Sequence, residues 1–259
     1  MMRKLFVLLC ALTAFMGAHA AAQPVVSPGD VNAAGELRML SQRLAKSYVQ
    51  LGLDVVPAAA LEQLQDSIVR FERNLERMQA LAAAVPPAAP AIERLRGDWA
   101  ALRAAVAEPA DRARALLASR RSLDVLESAE RLVIVLEVAA DSGGARRVIQ
   151  AGRLRMLSQR VVKAYMLYSW GADTAASRSE MESAADEFGR SLTTLAALPG
   201  NTADMRAELS EIALQWEWLR TALSVEGAGS YRLVVAEAAD SILAATDRLV
   251  RLHQNVESR

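Results

Sequence analysis

Ala34-Gly-Glu-Leu-Arg-Met-Leu-Ser-Gln-Arg-Leu-Ala-Lys-Ser-Tyr48 returns 117 residues later as Ala151-Gly-Arg-Leu-Arg-Met-Leu-Ser-Gln-Arg-Val-Val-Lys-Ala-Tyr165, with eleven of fifteen positions identical. The same ungapped offset pairs Phe71 with Phe188, Leu75 with Leu192, Trp99 with Trp216, and Arg131-Leu132-Val133 with Arg248-Leu249-Val250. Self-similarity at a fixed period marks a repeated structural unit. Two units, 25–141 and 142–258, account for almost all of the chain after its first residues.

Each unit reads as four helices. Ala, Leu, Arg and Glu dominate and β-branched residues are sparse, which favours helix over strand. Breakers fall at Gly52–Pro57, Pro86–Pro90, Pro109–Asp111 and Ser142–Gly144, then at Gly171–Thr174, Pro199–Asn201 and Gly227–Ser230. Short connections make neighbouring helices antiparallel. Apolar residues spaced three and four apart supply a seam: Leu37, Leu40 and Leu44 in one unit, Leu154, Leu157 and Val161 in the other. The expected fold is all-α, two tandem up-down four-helix bundles related by internal duplication. Trp99, Trp216, Phe71 and Phe188 are expected core anchors, and Met39 and Met156 gap-fillers.

Composition removes whole classes of chemistry. Residues 1–20 read as an export signal: Arg3 and Lys4, an apolar run from Leu5 to Met16, then Ala18-His19-Ala20. That segment holds Cys10 and one of the two histidines, leaving 239 residues with His253 and no cysteine. No disulfide framework, Cys nucleophile or Cys/His metal site is expected, nor any cofactor. The remaining 28 basic and 30 acidic residues nearly balance, so no nucleic-acid partner is expected. No later apolar run is long enough for a transmembrane segment. The expected compartment is the periplasm.

On a helix wheel the segment from about Asn32 divides into three faces. Leu37, Leu40, Leu44 and Leu51 form the core stripe. Glu36, Arg43, Lys46 and Gln50 form a charged face expected to meet water. The third face holds Ala34, Gly35, Arg38, Ser41, Gln42 and Ala45, and the second unit repeats it with Ala151, Gly152, Arg155, Ser158, Gln159 and Val162. Small residues around one guanidinium suit a close helix–helix contact rather than solvent. Two arginines converging there would repel unless an anion lay between them, and the guanidinium fork matches a planar oxyanion or carboxylate. Ser41, Ser158, Gln42 and Gln159 could add neutral donors. The plainer alternative pairs each arginine with an Asp or Glu of a neighbouring helix. Arg43 and Arg160 are expected to be solvated or ion-paired. Lys46, Lys163, Tyr48 and Tyr165 are expected to serve packing. Glu127 and Glu130, spaced i,i+3, read as a solvated face and carry no enzymatic reading.

The motif Ala-Gly-x-Leu-Arg-Met-Leu-Ser-Gln-Arg at 34–43 and 151–160 resembles the periplasmic helix motif of the PilJ-type domain of type IV pilus methyl-accepting chemoreceptors. More distantly it is similar to the NarX/NarQ nitrate and nitrite sensor kinases. In those sensors the matching Arg comes from both subunits and grips one anion on the two-fold axis. The resemblance places Arg38 and Arg155 in that role, with Gly35 and Gly152 as close-packing glycines. The Leu-Ser-Gln-Arg ending is nearer the pilus receptor, which is associated with protein or peptide signals.

The leading expectation is a non-enzymatic sensor-type binding protein for a small oxyanion, nitrate or nitrite first, held between Arg38 and Arg155 of one chain. Without a membrane span it would need a membrane-bound signalling or transport partner. If the two arginines do not meet, each needs an equivalent from a second chain, as a homodimer would supply. The competing expectation is an interaction module docking a pilus, chemoreceptor or transporter component through the small-residue face.

Overall fold

A computed structural model describes residues 26–224 and 231–257. It contains eight α-helices and no strand among those residues: α1 (Pro28–Gly52), α2 (Pro57–Leu81), α3 (Ala89–Ala105), α4 (Arg112–Ala140), α5 (Gly143–Ser169), α6 (Thr174–Ala196), α7 (Ala203–Leu223) and α8 (Arg232–Glu257). The all-α expectation holds. The export segment 1–20 and the break at 227–230 lie outside the described residues.

Local chemistry sets the boundaries. Ser27 caps α1, accepting from the Asp30 amide while the Asp30 carboxylate accepts from Ser27, with Pro28 in the first turn. The helix thus starts four residues before the expected Asn32. The side chains of Asp111, Ser142 and Thr202 likewise accept from the amides of Arg114, Ala145 and Met205 and cap α4, α5 and α7. Before α2 and α6 the chain turns through a left-handed residue at matching places, Val56 (φ 45°) and Asp173 (φ 46°). Asp tolerates that conformation better than a β-branched Val does.

Helices α1 and α5 are the axis of the molecule, and their mutual contact is the most extensive one. α2 and α4 flank α1, α6 and α8 flank α5, while α3 packs on α4 and α7 on α8. Contacts Arg38–Glu130 and Gln42–Ser122, with Tyr48 reaching the Glu108 carbonyl just before α4, run α4 antiparallel to α1. Arg155–Asp247, Gln159–Ala239 and Ser169–Arg232 do the same for α8 on α5. α1 and α5 themselves are parallel: Asn32 meets Arg155, Arg38 meets Ile149, Gln42 meets Lys163, and Gly52 lies against Trp170. The α2–α3 and α6–α7 contacts are thin. Each set of four is therefore open along one edge and joined to the other set through its first helix.

Leu37, Leu40, Leu44, Leu154, Leu157 and Val161 are fully buried, as expected of the core stripe. Phe71 stacks on Trp99 with ring centroids 3.8 Å apart, and Phe188 on Trp216 at 4.1 Å, bridging the thin edges. Met39 and Met156 are buried. One expectation fails: Glu36, Lys46 and Gln50 are buried rather than washed by solvent. A helix enclosed by α2, α4 and α5 keeps no free side, so its polar residues must be neutralised in place.

Candidate functional site

The small-residue face of α1 lies against that of α5. Ala34, Ala45, Ala151 and Val162 are fully buried along this seam. This corrects the docking alternative: a face already covered by α5 is not available to an outside partner.

Arg38 and Arg155 face each other near the N-terminal end of the seam. Arg38 has no exposed side-chain surface and Arg155 has 4%. A Cβ placed on Gly152 would sit 3.3 Å from Arg155 Nη2 and 3.7 Å from Arg38 Nη2, so both guanidiniums crowd one glycine. At Gly35 the nearest atom is Arg38 Nη2, at 3.4 Å. The missing side chains are what admit the two forks.

Each arginine also has a carboxylate, at matching positions. Arg38 Nη1 donates to Glu130 Oε2 at 2.6 Å from α4, and Arg155 Nη1 donates to Asp247 Oδ1 at 3.0 Å from α8. The plainer ion-pair alternative is thus realised together with the facing arrangement. Glu130 is corrected from solvated to inward-pairing, whereas Glu127 stays exposed and pairs with Arg131. The second Nη atoms are treated unequally. Arg155 Nη2 donates to Asn32 Oδ1 at 2.7 Å, while Ile149, the residue matching Asn32, offers Arg38 only its carbonyl at 3.3 Å. Both Nε–H groups are buried and find no acceptor among the described residues. Burial pulls the Arg38 pKa below its ordinary value, with Glu130 opposing and Arg153 and Arg155 adding to the pull.

Ser41, Ser158, Gln42 and Gln159 form a separate layer one turn further along. The Ser41 and Ser158 hydroxyls donate to the carbonyls of Arg38 and Arg155, both at 2.8 Å. Gln42 Nε2 donates to Ser41 Oγ and to the Ser122 carbonyl on α4, and its Oε1 accepts from Lys163. Gln159 Nε2 donates to Ser158 Oγ and the Ala239 carbonyl, while its buried Oε1 finds no donor among the described residues. The structure therefore brings together Arg38, Arg155, Gly35 and Gly152, and commits the serine and glutamine donors to helix carbonyls.

A lysine layer follows. Lys163 Nζ reaches Gln42 Oε1 at 2.8 Å, Glu180 Oε1 at 3.0 Å and Ser122 Oγ at 3.1 Å. Lys46 Nζ reaches Asp240 Oδ1 at 2.9 Å. Both ammonium groups are wholly buried, and desolvation lowers both pKa values against the pull of their carboxylates. Glu180 is pushed up by burial, but Lys163 and Arg160 together hold its pKa below the ordinary value. Arg43 and Arg160 pair with Asp66 and Glu180, as expected.

Sequence reasoning missed Glu130, Asp247, Asn32, Glu180 and Asp240. The signal for the first two was present: the 117-residue offset sets Glu130 on Asp247, an acid kept in both units. Among the described residues no helix is long and apolar enough to cross a membrane, and no His/Cys/Asp/Glu group could hold a metal ion.

Residues 29–132 and 138–254 match the family described as "Type IV pili methyl-accepting chemotaxis transducer N-term", PilJ. Among curated proteins, the methyl-accepting chemotaxis protein McpN of Pseudomonas aeruginosa is 28% identical over 251 residues, covering 90% of this chain and 45% of that protein. The chain thus spans less than half of that relative's length. No solved structure matches it. With the repeated motif, its helical setting and two family matches in tandem, the chain belongs to the PilJ family of type IV pili methyl-accepting chemotaxis transducer N-terminal domains.

Proposed function

We propose that this protein is a non-enzymatic, sensor-type binding protein for a small oxyanion, with nitrate or nitrite first, held between Arg38 and Arg155. The observation that carries the reading is that two buried guanidiniums, one from each side of the α1–α5 seam, crowd Gly152, and each keeps a buried Nε–H with no acceptor among the described residues. Two facing guanidiniums from matched positions, each with a donor left to satisfy, suit one shared acceptor. The nitrate-sensor resemblance supplies the choice of anion, and membership of a chemotaxis transducer family supports a role in signalling. In this reading residues 25–141 and 142–258 are duplicated four-helix units that complete one pseudo-two-fold site within a single chain. The protein acts in the periplasm after export through residues 1–20, and a membrane-bound signalling or transport partner reads its state.

Charge balance sharpens the mechanism. Glu130 and Asp247 already neutralise the two arginines, so an added anion leaves the site one negative charge in excess. Their side chains are 35% and 25% exposed. Anion binding would therefore drive one carboxylate outward into water, loosening α4 from α1 or α8 from α5.

A thermal-unfolding screen against nitrate, nitrite, chloride, sulfate and small carboxylates at constant ionic strength tests this. Ligand at 100 times its dissociation constant adds about 2.7 kcal/mol. A selective rise that disappears in both Arg38→Lys and Arg155→Lys is expected, because lysine keeps the charge and loses the Nε–H donor. A folded wild type that no anion stabilises selectively would refute the reading.

A further inference from the structure

The two halves differ on the outer groove between their second and third helices. In the first half that groove is crossed by charge: Arg103 on α3 pairs with Glu72 on α2 at 3.4 Å, beside the Arg96–Glu93 pair on the α3 rim. At the matching places the second half has Gly189 for Glu72, Ser210 for Glu93 and Ala213 for Arg96. α6 and α7 leave between them a cavity of about 690 Å³, walled by Gly189, Thr193, Ala196, Ser210, Ala213 and Trp216. Arg220, the match of Arg103, pairs instead within its own helix to Glu217, and both side chains stay mostly exposed.

On α7 the rim of this groove reads Ala203, Arg206, Ser210, Ala213, Glu217 and Arg220, in alternating steps of three and four. That is one continuous stripe of the kind that packs helix on helix. All six residues keep solvent exposure, with Ala213 the most covered. Run antiparallel against a copy of itself, the stripe is complementary in charge. A centre between Ser210 and Ala213 sets Arg206 of each copy opposite Glu217 of the other, with the small residues meeting in the middle. A parallel pairing would instead set arginine on arginine and glutamate on glutamate, which repels.

We propose that this face of the second half is an isologous dimer interface, in which α7 lies antiparallel along α7 of a second copy, beside α6. The glycine and alanines of the α6 wall let the second backbone approach, and two Arg206–Glu217 pairs fix the register. The first half has Glu72, Glu76 and Gln79 at the matching wall positions, longer side chains than Gly189, Thr193 and Ala196, and Glu72 is already paired with Arg103. This interface is independent of the arginine pair, so its failure and that of the oxyanion reading are separate results.

Sedimentation equilibrium of the purified protein over a concentration series tests the proposal. A dimer is expected, with Glu217→Arg and Arg206→Glu each shifting the protein to monomer and the double reversal restoring the dimer. In a Cys10→Ser background, mixed Ser210→Cys and Ala213→Cys chains should cross-link faster than either alone, whereas mixed Glu93→Cys and Arg96→Cys chains should not. Far-ultraviolet dichroism and melting of each variant check folding, and the exposed Glu217→Arg variant keeps the test valid should Arg206→Glu misfold. A monomer at every concentration, a dimer indifferent to both reversals, or association only with a different protein would each overturn it.

Discussion

Glu130→Ala is the most informative single change, because it separates the stability of the arginine pair from what the pair can bind. Arg38 is wholly buried, and its short bond to Glu130, at 2.6 Å, is its main compensation; the Ile149 carbonyl is at 3.3 Å. Removing one partner of a buried pair costs roughly 3–5 kcal/mol. Glu130 is 35% exposed, so water can enter the space it leaves, which lowers the cost to about 2–3 kcal/mol. In a chain of this size that lowers the unfolding midpoint by roughly 4–12 °C. Calorimetric scans of wild type and variant, with and without nitrate at fixed ionic strength, read both effects. The variant should melt lower and gain more from nitrate than the wild type, since the anion then replaces a lost charge rather than displacing one. A variant that melts like wild type would refute the claim that Glu130 compensates a buried guanidinium. A destabilised variant rescued equally by every anion would leave the ion pair standing and remove the oxyanion reading.

Further outcomes follow from particular contacts. Lys163→Met takes the donor from Gln42 Oε1 and one of two cations from Glu180, and should cost about 2–3 kcal/mol in urea unfolding. Gly52→Ala would place a Cβ 2.3 Å from the Trp170 ring, whereas Gly97 has nothing within 4 Å. The first should destabilise by about 1–3 kcal/mol through overpacking, and Gly97→Ala should stabilise by up to about 1 kcal/mol; melting midpoints of opposite sign check both. Val56→Asn, at φ 45°, should gain about 1 kcal/mol by relieving a left-handed β-branched residue. His253 is buried, and desolvation, with Arg147 adding to it, lowers its pKa from 6.5. The unfolded chain therefore takes up that proton first, so stability is full above pH 6.5 and is lost as pH falls. Urea midpoints should drop from about pH 7.5 to about pH 5.5, and His253→Gln should flatten that stretch of the profile.

The breakers made the helix order readable, and the repeated motif the α1–α5 contact, because Gly35, Arg38 and Ala45 share a face that suits neither solvent nor an ordinary core. The fate of Lys46 and Glu36 was not readable. A helix wheel assigns charge to water, which assumes a helix with one buried side; α1 has neighbours on three. Glu36 is held by Arg70 and Asn74 of α2, and nothing in the spacing of α1 announces them. Glu130 was misread for a similar reason. Its i,i+3 neighbour Glu127 is indeed exposed, and a single helix cannot show which of two acids reaches a guanidinium on another. Ser41 and Gln42 carried the right chemistry for an anion site, but mid-helix hydroxyls close to a carbonyl commonly satisfy that carbonyl first.

The lysine layer explains why the halves are no longer interchangeable. Position 63 is Gln in the first half, and its match, 180, is Glu; position 123 is Leu, and its match, 240, is Asp. Lys163 takes its carboxylate from Glu180 within its own half, and Lys46 takes its carboxylate from Asp240 across the seam. A symmetric pairing of two first halves would surround each Lys46 with Gln63 and Leu123 and leave a buried ammonium with no counter-charge. A symmetric pairing of two second halves would place both Glu180 and Asp240 on each Lys163, an excess of buried negative charge. Only the mixed pairing supplies one acid per lysine, and a buried charge out of balance costs several kcal/mol. Divergence at two matched positions has therefore tied the halves to each other through the same seam that carries Arg38 and Arg155. Gln42, four residues beyond Arg38, donates to α4 and accepts from Lys163 of α5, so the spacing of three helices at the lysines is set within about one turn of the arginine pair.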